Sequence, residues 1–173
     1  MNQEQQFLSA FDSYADALFR HCYFRTSDRE RSLEMVQDTF MKGWEYIKGG
    51  KSVKQFRPFL YKIINNLIID EYRRKQPVSL DAILDDEKVS EGSFEELRDD
   101  SASQWAERID AEVVHKALAE LPELYREVVT LRYIDGLSPK EIADLIEESE
   151  NVVSVRIHRG IKLLRKTFKH DES

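Results

Sequence analysis

Apolar residues recur at three- and four-residue spacing through most of the chain, and nowhere do they alternate as a half-buried strand would. A first helix is predicted from about Glu4 to Tyr23, with Phe7, Leu8, Phe11, Tyr14, Ala15, Leu18 and Phe19 on one stripe. Ser27-Asp28-Arg29-Glu30 has the form of a capping box and opens a second helix, which carries Leu33, Val36, Phe40, Met41 and Trp44 until Gly49-Gly50 stops it. After a short basic loop, Pro58 suits a first helical turn. Leu60, Ile63, Ile64, Leu67 and Ile68 then form a stripe that Pro77 ends after Gln76. A second periodic block begins at Trp105 with one amphipathic helix to Ala119. Another runs from Pro122 through Leu124, Val128, Val129, Leu131 and Tyr133, closed by Asp135-Gly136. Ser138-Pro139-Lys140-Glu141 is the strongest local signal: serine for the N-cap, proline for the first helical position, and glutamate three residues on to reciprocate the cap. The short helix 139–146 leads through Glu147-Glu148-Ser149 into a final helix from about Glu150 to Lys169. The expected fold class is therefore all-α. Residues 1–76 form a three- to four-helix bundle, 77–104 a mobile linker, and 105–173 a four-helix domain containing a helix-turn-helix.

Charge changes the picture of what these helices meet. The net charge of −7 over 173 residues speaks against a nucleic-acid partner, but its distribution does not. Residues 1–75 hold 13 Lys/Arg against 10 Asp/Glu, residues 76–110 hold 3 against 11, and residues 151–170 hold six basic residues and no acid. The acidity sits in the linker, and local basic patches govern phosphate affinity. No apolar run reaches the roughly 18 residues that span a bilayer, so no direct membrane insertion is expected. MNQEQQFLSAFDSY does not read as a secretory signal, and a single cysteine, Cys22, suits a reducing, cytoplasmic setting.

Two constellations could carry function. The capped short helix, tight turn and longer basic helix describe a unit whose second helix enters the major groove. If Val152, Val153, Ile157, Ile161 and Leu164 face inward, then Asn151, Ser154, Val155, Arg156, His158, Arg159 and Lys162 are left to the outer surface or its margins. Arginine reads guanine edges and asparagine adenine. The plainer alternative is a solvated basic face. The second constellation is residues 42–75, nine Lys/Arg and three acids interleaved with Trp44, Tyr46, Phe56, Phe59, Tyr61 and Tyr72. Basic grooves with aromatic platforms suit unstacked single strands, although Trp44 and Phe59 are expected in the core. His21, His115, His158 and His170 are scattered, no phosphate-binding glycine loop is present, and Cys22 on an apolar stripe reads as a buried small side chain. No active site, metal or cofactor is expected.

At this point the residues resemble a family, the bacterial sigma factors of the extracytoplasmic-function type. LEMVQDTFMKGW at 33–44 resembles its polymerase-binding segment, and FRPFLYKIINNLIIDEYRR at 56–74 resembles the helix at the melted −10 element. ALAELPELYREVVTLRYIDGLSPKEIADLI at 117–146 is similar to the opening of the −35-reading domain, and NVVSVRIHRGIKLLRK at 151–166 to its recognition helix. The resemblance implies a non-enzymatic initiation factor. Its partners would be core RNA polymerase (the β′ clamp coiled coil and the β flap), promoter DNA and an anti-sigma factor. By position, Glu34, Gln37, Asp38 and Phe40 would contact polymerase. Lys48, Lys51, Lys54 and Phe56 of the loop, with Asn65, Asn66, Arg73 and Arg74, would meet −10 DNA, and Asp70 would orient neighbours. Arg156 and Arg159, helped by Asn151, Ser154, Val155, His158 and Lys162, would meet −35 DNA. Among the departures, Glu147 and Glu148 stand where the family has a glycine and an apolar residue. The rival reading is a helix-turn-helix regulator acting without polymerase, which needs only residues 105–173.

Overall fold

The computed structural model describes residues 2–75 and 111–171, and every regular element among them is helical. The predicted linker, 77–104, and the start of the helix predicted at Trp105 lie outside the described residues. Contacts divide the chain into two units, with the break after Pro77.

In the first unit, α1 (Gln3–Thr26) opens on a reciprocal cap. Asn2 accepts from the Gln5 amide at 2.8 Å, and the Gln5 side chain accepts from the Asn2 amide at 3.2 Å. Ser27 closes α1 in the left-handed region at φ 59°, its N–H returned to the Tyr23 carbonyl. The serine of the predicted capping box is therefore spent ending α1. Asp28 caps α2 (Arg29–Lys48) instead, accepting from the Arg31 amide at 3.0 Å. Helix α3 runs Phe56–Lys75, with Pro58 in its first turn as expected. Each of the three helices packs on the other two. Leu18, Cys22, Met35, Leu60, Ile64 and Ile68 are sealed between them. At one end Phe7 gathers the rings of Phe40, Trp44 and Phe56.

In the second unit, α4 (Ala111–Ala119) is ended by a guanidinium. Arg126 donates to the carbonyls of Leu118, Ala119 and Leu121 at 2.7, 2.8 and 2.6 Å, supplying donors to a helix end that would otherwise leave them bare. Helix α5 (Glu123–Val129) does not run on as a regular helix to Tyr133. It widens into a π turn, Thr130–Ile134, whose Asp135 amide reaches back to the Thr130 carbonyl. The cap predicted at Ser138 forms in full, with both side chain–backbone bonds at 3.1 Å, and α6 spans Pro139–Ile146. Helix α7 (Glu150–Asp171) packs on α4, α5 and α6.

The turn between α6 and α7 carries a strained residue. Glu147 sits at φ 61° and ψ 44°, the left-handed cap position that glycine fills at least cost. A side chain there costs about 1 kcal/mol. Gly gives part of that back by loosening the unfolded chain. Glu147→Gly is therefore expected to leave α6 and α7 in place and raise the midpoint of the second unit slightly; a lowered midpoint in thermal melts would contradict the strain.

Candidate nucleic-acid interface

The first unit presents two chemically distinct faces. Between α2 and α3 lies a shallow open groove lined by Lys42, Glu45, Tyr46, Phe59, Lys62, Ile63 and Asn66. Two ammonium groups, two aromatic rings and one exposed side-chain amide converge there. Such a surface suits an anionic strand with splayed bases. The loop after α2 runs beside it. Lys51 sits 5.0 Å over the Tyr46 ring, Lys48 sits 5.0 Å over Trp44 and 2.9 Å from Glu4, and Lys54 is exposed. Arg73 and Arg74 are exposed in the last turn of α3, and Asp70 is exposed one turn earlier. Phe56 is half-buried at the start of α3, and Phe59 and Trp44 are half-buried rather than sealed in the core.

The other face is acidic and apolar. Leu33, Gln37 and Met41 stand one turn apart on α2 and are exposed, Leu33 at 50% and Met41 at 61%. Glu34 is exposed beside them and paired with Arg31 at 2.9 Å, and Asp38 is half-buried. The apolar surface continues onto α1. Phe11 is 48% exposed and its ring lies 4.7 Å from Phe40, while Leu8, one turn away, is 60% exposed. Leu8 and Phe11 belong to the apolar stripe of α1, yet they lie at its exposed margin. Large apolar side chains left in water at this density mark a surface that a partner covers.

Three expected site residues are placed elsewhere. Phe40 is buried between Phe7 and Phe11, so it supports the α2 face from beneath instead of lying on it. Asn65 is buried on the inner side of α3, level with Tyr61, Ile64 and Ile68. There it accepts a 2.6 Å hydrogen bond from Arg25, itself fully buried. Asn66, its neighbour, takes the exposed position in the groove. Arg156 is 3% exposed and lies 3.6 Å from Glu148, on the inward row with Val153 and Gly160. The reason is the rotation of α7: Val152 and Ile157, expected inside, are half-exposed, and Arg156 and Gly160 take the inner row. On the outer side, His158 and Lys162 are exposed, and Asn151, Ser154, Val155 and Arg159 are half-exposed. The Arg159 Nη1 is buried without a hydrogen-bond partner among the described residues.

Sequence reasoning left Lys42 and Lys62 without a role, because the loop's lysines drew attention to charge density. Phase held the signal. With Ile64 and Ile68 inside, Lys62 and Asn66 fall on one outward row of α3, and Lys42 and Tyr46 on one row of α2.

Burial pushes the Cys22 thiol up from its ordinary range, despite hydrogen bonding with Ser32 and the nearby Arg25 charge, so it is a poor nucleophile. Its Sγ rests 3.3 Å from the Met35 sulfur. Among the described residues no group of His, Cys, Asp and Glu is placed to hold a metal ion, and no helix is long and apolar enough to cross a membrane.

Comparison with known proteins places these units. Residues 10–78 match the family description Sigma-70 region 2, and residues 111–164 match Sigma-70, region 4. The chain is 29% identical over 172 residues to the ECF RNA polymerase sigma factor SigW of Bacillus subtilis, covering 96% of this chain and 90% of that one. It is 26% identical over 159 residues to the ECF RNA polymerase sigma factor SigL of Mycobacterium tuberculosis, covering 91% and 86%. Its fold is similar to that of the sigma factor RpoE in a co-crystal structure with the anti-sigma factor NepR from Bartonella quintana, with a TM-score of 0.70 at 18% identity, covering 95% and 98%.

Proposed function

The chain belongs to the sigma-70 family, in its extracytoplasmic-function branch, and from that premise we propose how its surfaces divide the work of a promoter-directing initiation factor. What supports the division is the order of matches: region 2 falls on the first unit and region 4 on the second. We assign residues 1–76 to polymerase docking and the −10 element, 77–104 to a tether, and 105–173 to the −35 element.

Leu33, Glu34, Gln37 and Met41 dock on the polymerase β′ clamp coiled coil, with Asp38 at the margin and Phe40 as their floor. The groove and loop take the non-template −10 strand as it melts. Lys42, Lys62, Lys48, Lys51 and Lys54 neutralise phosphates, the Tyr46 and Phe59 rings offer stacking faces, and the Asn66 amide faces base edges. Arg73 and Arg74 follow the duplex upstream. Unstacking costs a few kcal/mol per base and stacking on protein rings returns about 1–3, so melting runs near balance and added phosphate contacts tip it. On the second unit, Asn151, Ser154, Val155, His158, Arg159 and Lys162 read −35 DNA, while Arg156 holds the turn through Glu148. The β flap carries this unit on polymerase. Weak separate contacts made by one polymerase-bound chain reinforce one another through local concentration. The factor acts by binding, without a cofactor and without catalysis of its own, in the cytoplasm where polymerase works. An anti-sigma factor covering the same faces holds it inactive.

Purified chain added to core RNA polymerase is expected to yield defined start sites on a random promoter library; no start site in the absence of inhibitor would end this reading. Leu33→Asp with Met41→Asp is expected to lower polymerase capture about tenfold or more, since charges placed in an apolar contact must be desolvated. Unchanged capture, with duplex binding retained, would return the chain to the class of regulators that act without polymerase.

A further inference from the structure

The loop between α2 and α3, residues 49–55, has no regular structure of its own, yet it borders the −10 groove, whose lining comes from α2 and α3. Gly50 turns it at φ 89°, and Lys51 comes to rest over Tyr46, which lines the groove. Seven residues of free loop would leave Lys51 to fluctuate at the groove's edge. The structure ties the loop down from an unexpected place, the first turn of α1. The Val53 N–H donates to Gln3 Oε1 at 2.9 Å, and Gln3 Nε2 donates back to the Val53 carbonyl at 3.3 Å. One side-chain amide thus satisfies both main-chain groups of one loop residue, as a neighbouring strand would. The same Nε2 donates to Gln6 Oε1 at 2.8 Å, which holds the amide in that orientation. Val53 itself is buried, so the clamp grips the loop beside its one apolar anchor. The Lys48–Glu4 pair, at 2.9 Å, ties the same turn of α1 to the last residue of α2, where the loop begins, more weakly because both side chains are about half exposed.

We propose that Gln3, seconded by Glu4, is a positioning residue for −10 strand capture: it touches no DNA, but fixes the loop that does. This rests on the assignment of the groove and loop to the −10 strand. A mobile loop would still carry its lysines and still attract DNA at long range. It would meet the opened strand in many geometries, and ordering it would then oppose capture. The clamp therefore acts on the opening step and leaves the initial closed complex alone.

The test uses the full chain with core polymerase on a promoter that wild type selects from a random library, with 2-aminopurine placed along the non-template −10 strand. Gln3→Ala is expected to slow the fluorescence rise of opening about three- to tenfold, the factor that one to two net hydrogen bonds set. Closed-complex affinity for duplex DNA stays near wild type, and the thermal midpoint of the free protein falls by no more than the few degrees that the same bonds set. In a chain already carrying Lys51→Ala and Lys54→Ala, adding Gln3→Ala has little further effect, because the loop no longer contributes. Unchanged opening by Gln3→Ala overturns the clamp while leaving the promoter reading intact. So does full additivity with the lysine substitutions, which would mean general softening of the unit. Failure of wild type to select any promoter removes both.

Discussion

A Gly160→Val chain is expected to lose the fold of its second unit while keeping that of its first. Helix α7 crosses α5 at Gly160 with no room for a side chain. A Cβ built there meets Val129 Cγ2 at 2.6 Å, Tyr125 Cβ at 3.4 Å and the Tyr125 carbonyl oxygen at 3.6 Å. The first of these distances is far inside contact, while the other two are ordinary van der Waals separations, so the clash is with the Val129 methyl. Alanine at this position improves helix propensity by about 1 kcal/mol. It must then force apart two helices whose facing side chains, Tyr125, Val128 and Val129, are all buried. Overpacking of this kind costs typically 1–3 kcal/mol, so Gly160→Ala should come out mildly to moderately destabilised. Valine adds two methyl groups to the same clash and a β-branched penalty. A loss of about 3 kcal/mol or more approaches the whole margin of a small domain. Amide hydrogen exchange separates the units: protection of α5 and α7 should collapse while that of α1–α3 persists. A reciprocal variant tests the cause. With Val129→Ala already in place, Gly160→Ala should cost little or nothing further, because the new methyl occupies the volume the old one left. Wild-type protection in Gly160→Val would mean that the crossing is looser than these distances imply.

The same crossing shows where a sequence stops being legible. Helix α6 is found between the residues its capping box and proline predicted, because caps are local: the Ser138 and Glu141 side chains each accept from the other's amide, and Pro139 sets the first helical φ between them. The helices of the first unit are found within a few residues of expectation for a related reason, since a three- and four-residue stripe specifies a helix wherever the stripe faces. What a stripe leaves open is its edge. On α7, Val152 and Val153 are adjacent, as are Arg156 and Ile157, and a rotation of less than one residue decides which of each pair is buried. Packing of Gly160 against Val129 makes that choice, drawing Arg156 inward beside Glu148. No property of Arg156 itself announces burial, because arginine is nearly always on the surface. The π turn at 130–134 escapes for a similar reason: Thr130-Leu131-Arg132-Tyr133-Ile134 carries no residue that demands it.

The candidate site divides along the same line. Its charge and its aromatic content were visible in composition, and so was the loop, because Gly49-Gly50 and three lysines are local features. Its walls were not. The groove is made by Lys42 and Tyr46 from one helix meeting Lys62 and Asn66 from another, and only the packing of α2 on α3 says that these rows face the same way. The clamp of Gln3 on Val53 joins residues fifty positions apart and has no sequence signature at all. Leu8, Phe11, Leu33 and Met41 show the same limit from the other side: they share apolar stripes with sealed residues such as Leu18 and Phe40, and spacing alone does not say which members of a stripe stay in water.

Asn65→Leu is expected to destabilise the first unit by about 3 kcal/mol, although it replaces a polar residue with an apolar one of similar size inside a core. The cost lies in what it abandons. Arg25 has no exposed surface, and its Nη1 donates to Asn65 Oδ1 at 2.6 Å, with the His21 Nε2 at 3.3 Å on the same nitrogen. Tyr72 fixes the backbone at this point, its hydroxyl donating to the Arg25 carbonyl at 2.7 Å, and the Tyr61 ring stands edge-on to His21. A guanidinium sealed in this way depends on each acceptor it keeps, because no water can replace one. A hydrogen bond to a charged group is worth about 1.5–3 kcal/mol, and stranding a buried charge costs more. The sharper expectation concerns the pair. Arg25→Met together with Asn65→Leu removes the charge along with its acceptor and fills both volumes with apolar atoms, and it should recover most or all of the loss. Urea unfolding in a Trp105→Phe background, followed by the fluorescence of Trp44, gives all three values, and it reports on the first unit because Trp44 packs against Phe7 there. A double variant as unstable as Asn65→Leu alone would mean that Arg25 is held by shape rather than by charge. If instead the double variant is stable but melts −10 DNA poorly with polymerase, the pair is kept for the orientation of α3, which carries Lys62 and Asn66 on its outer side. The buried polar contact would then serve to set the phase of that helix rather than to stabilise it.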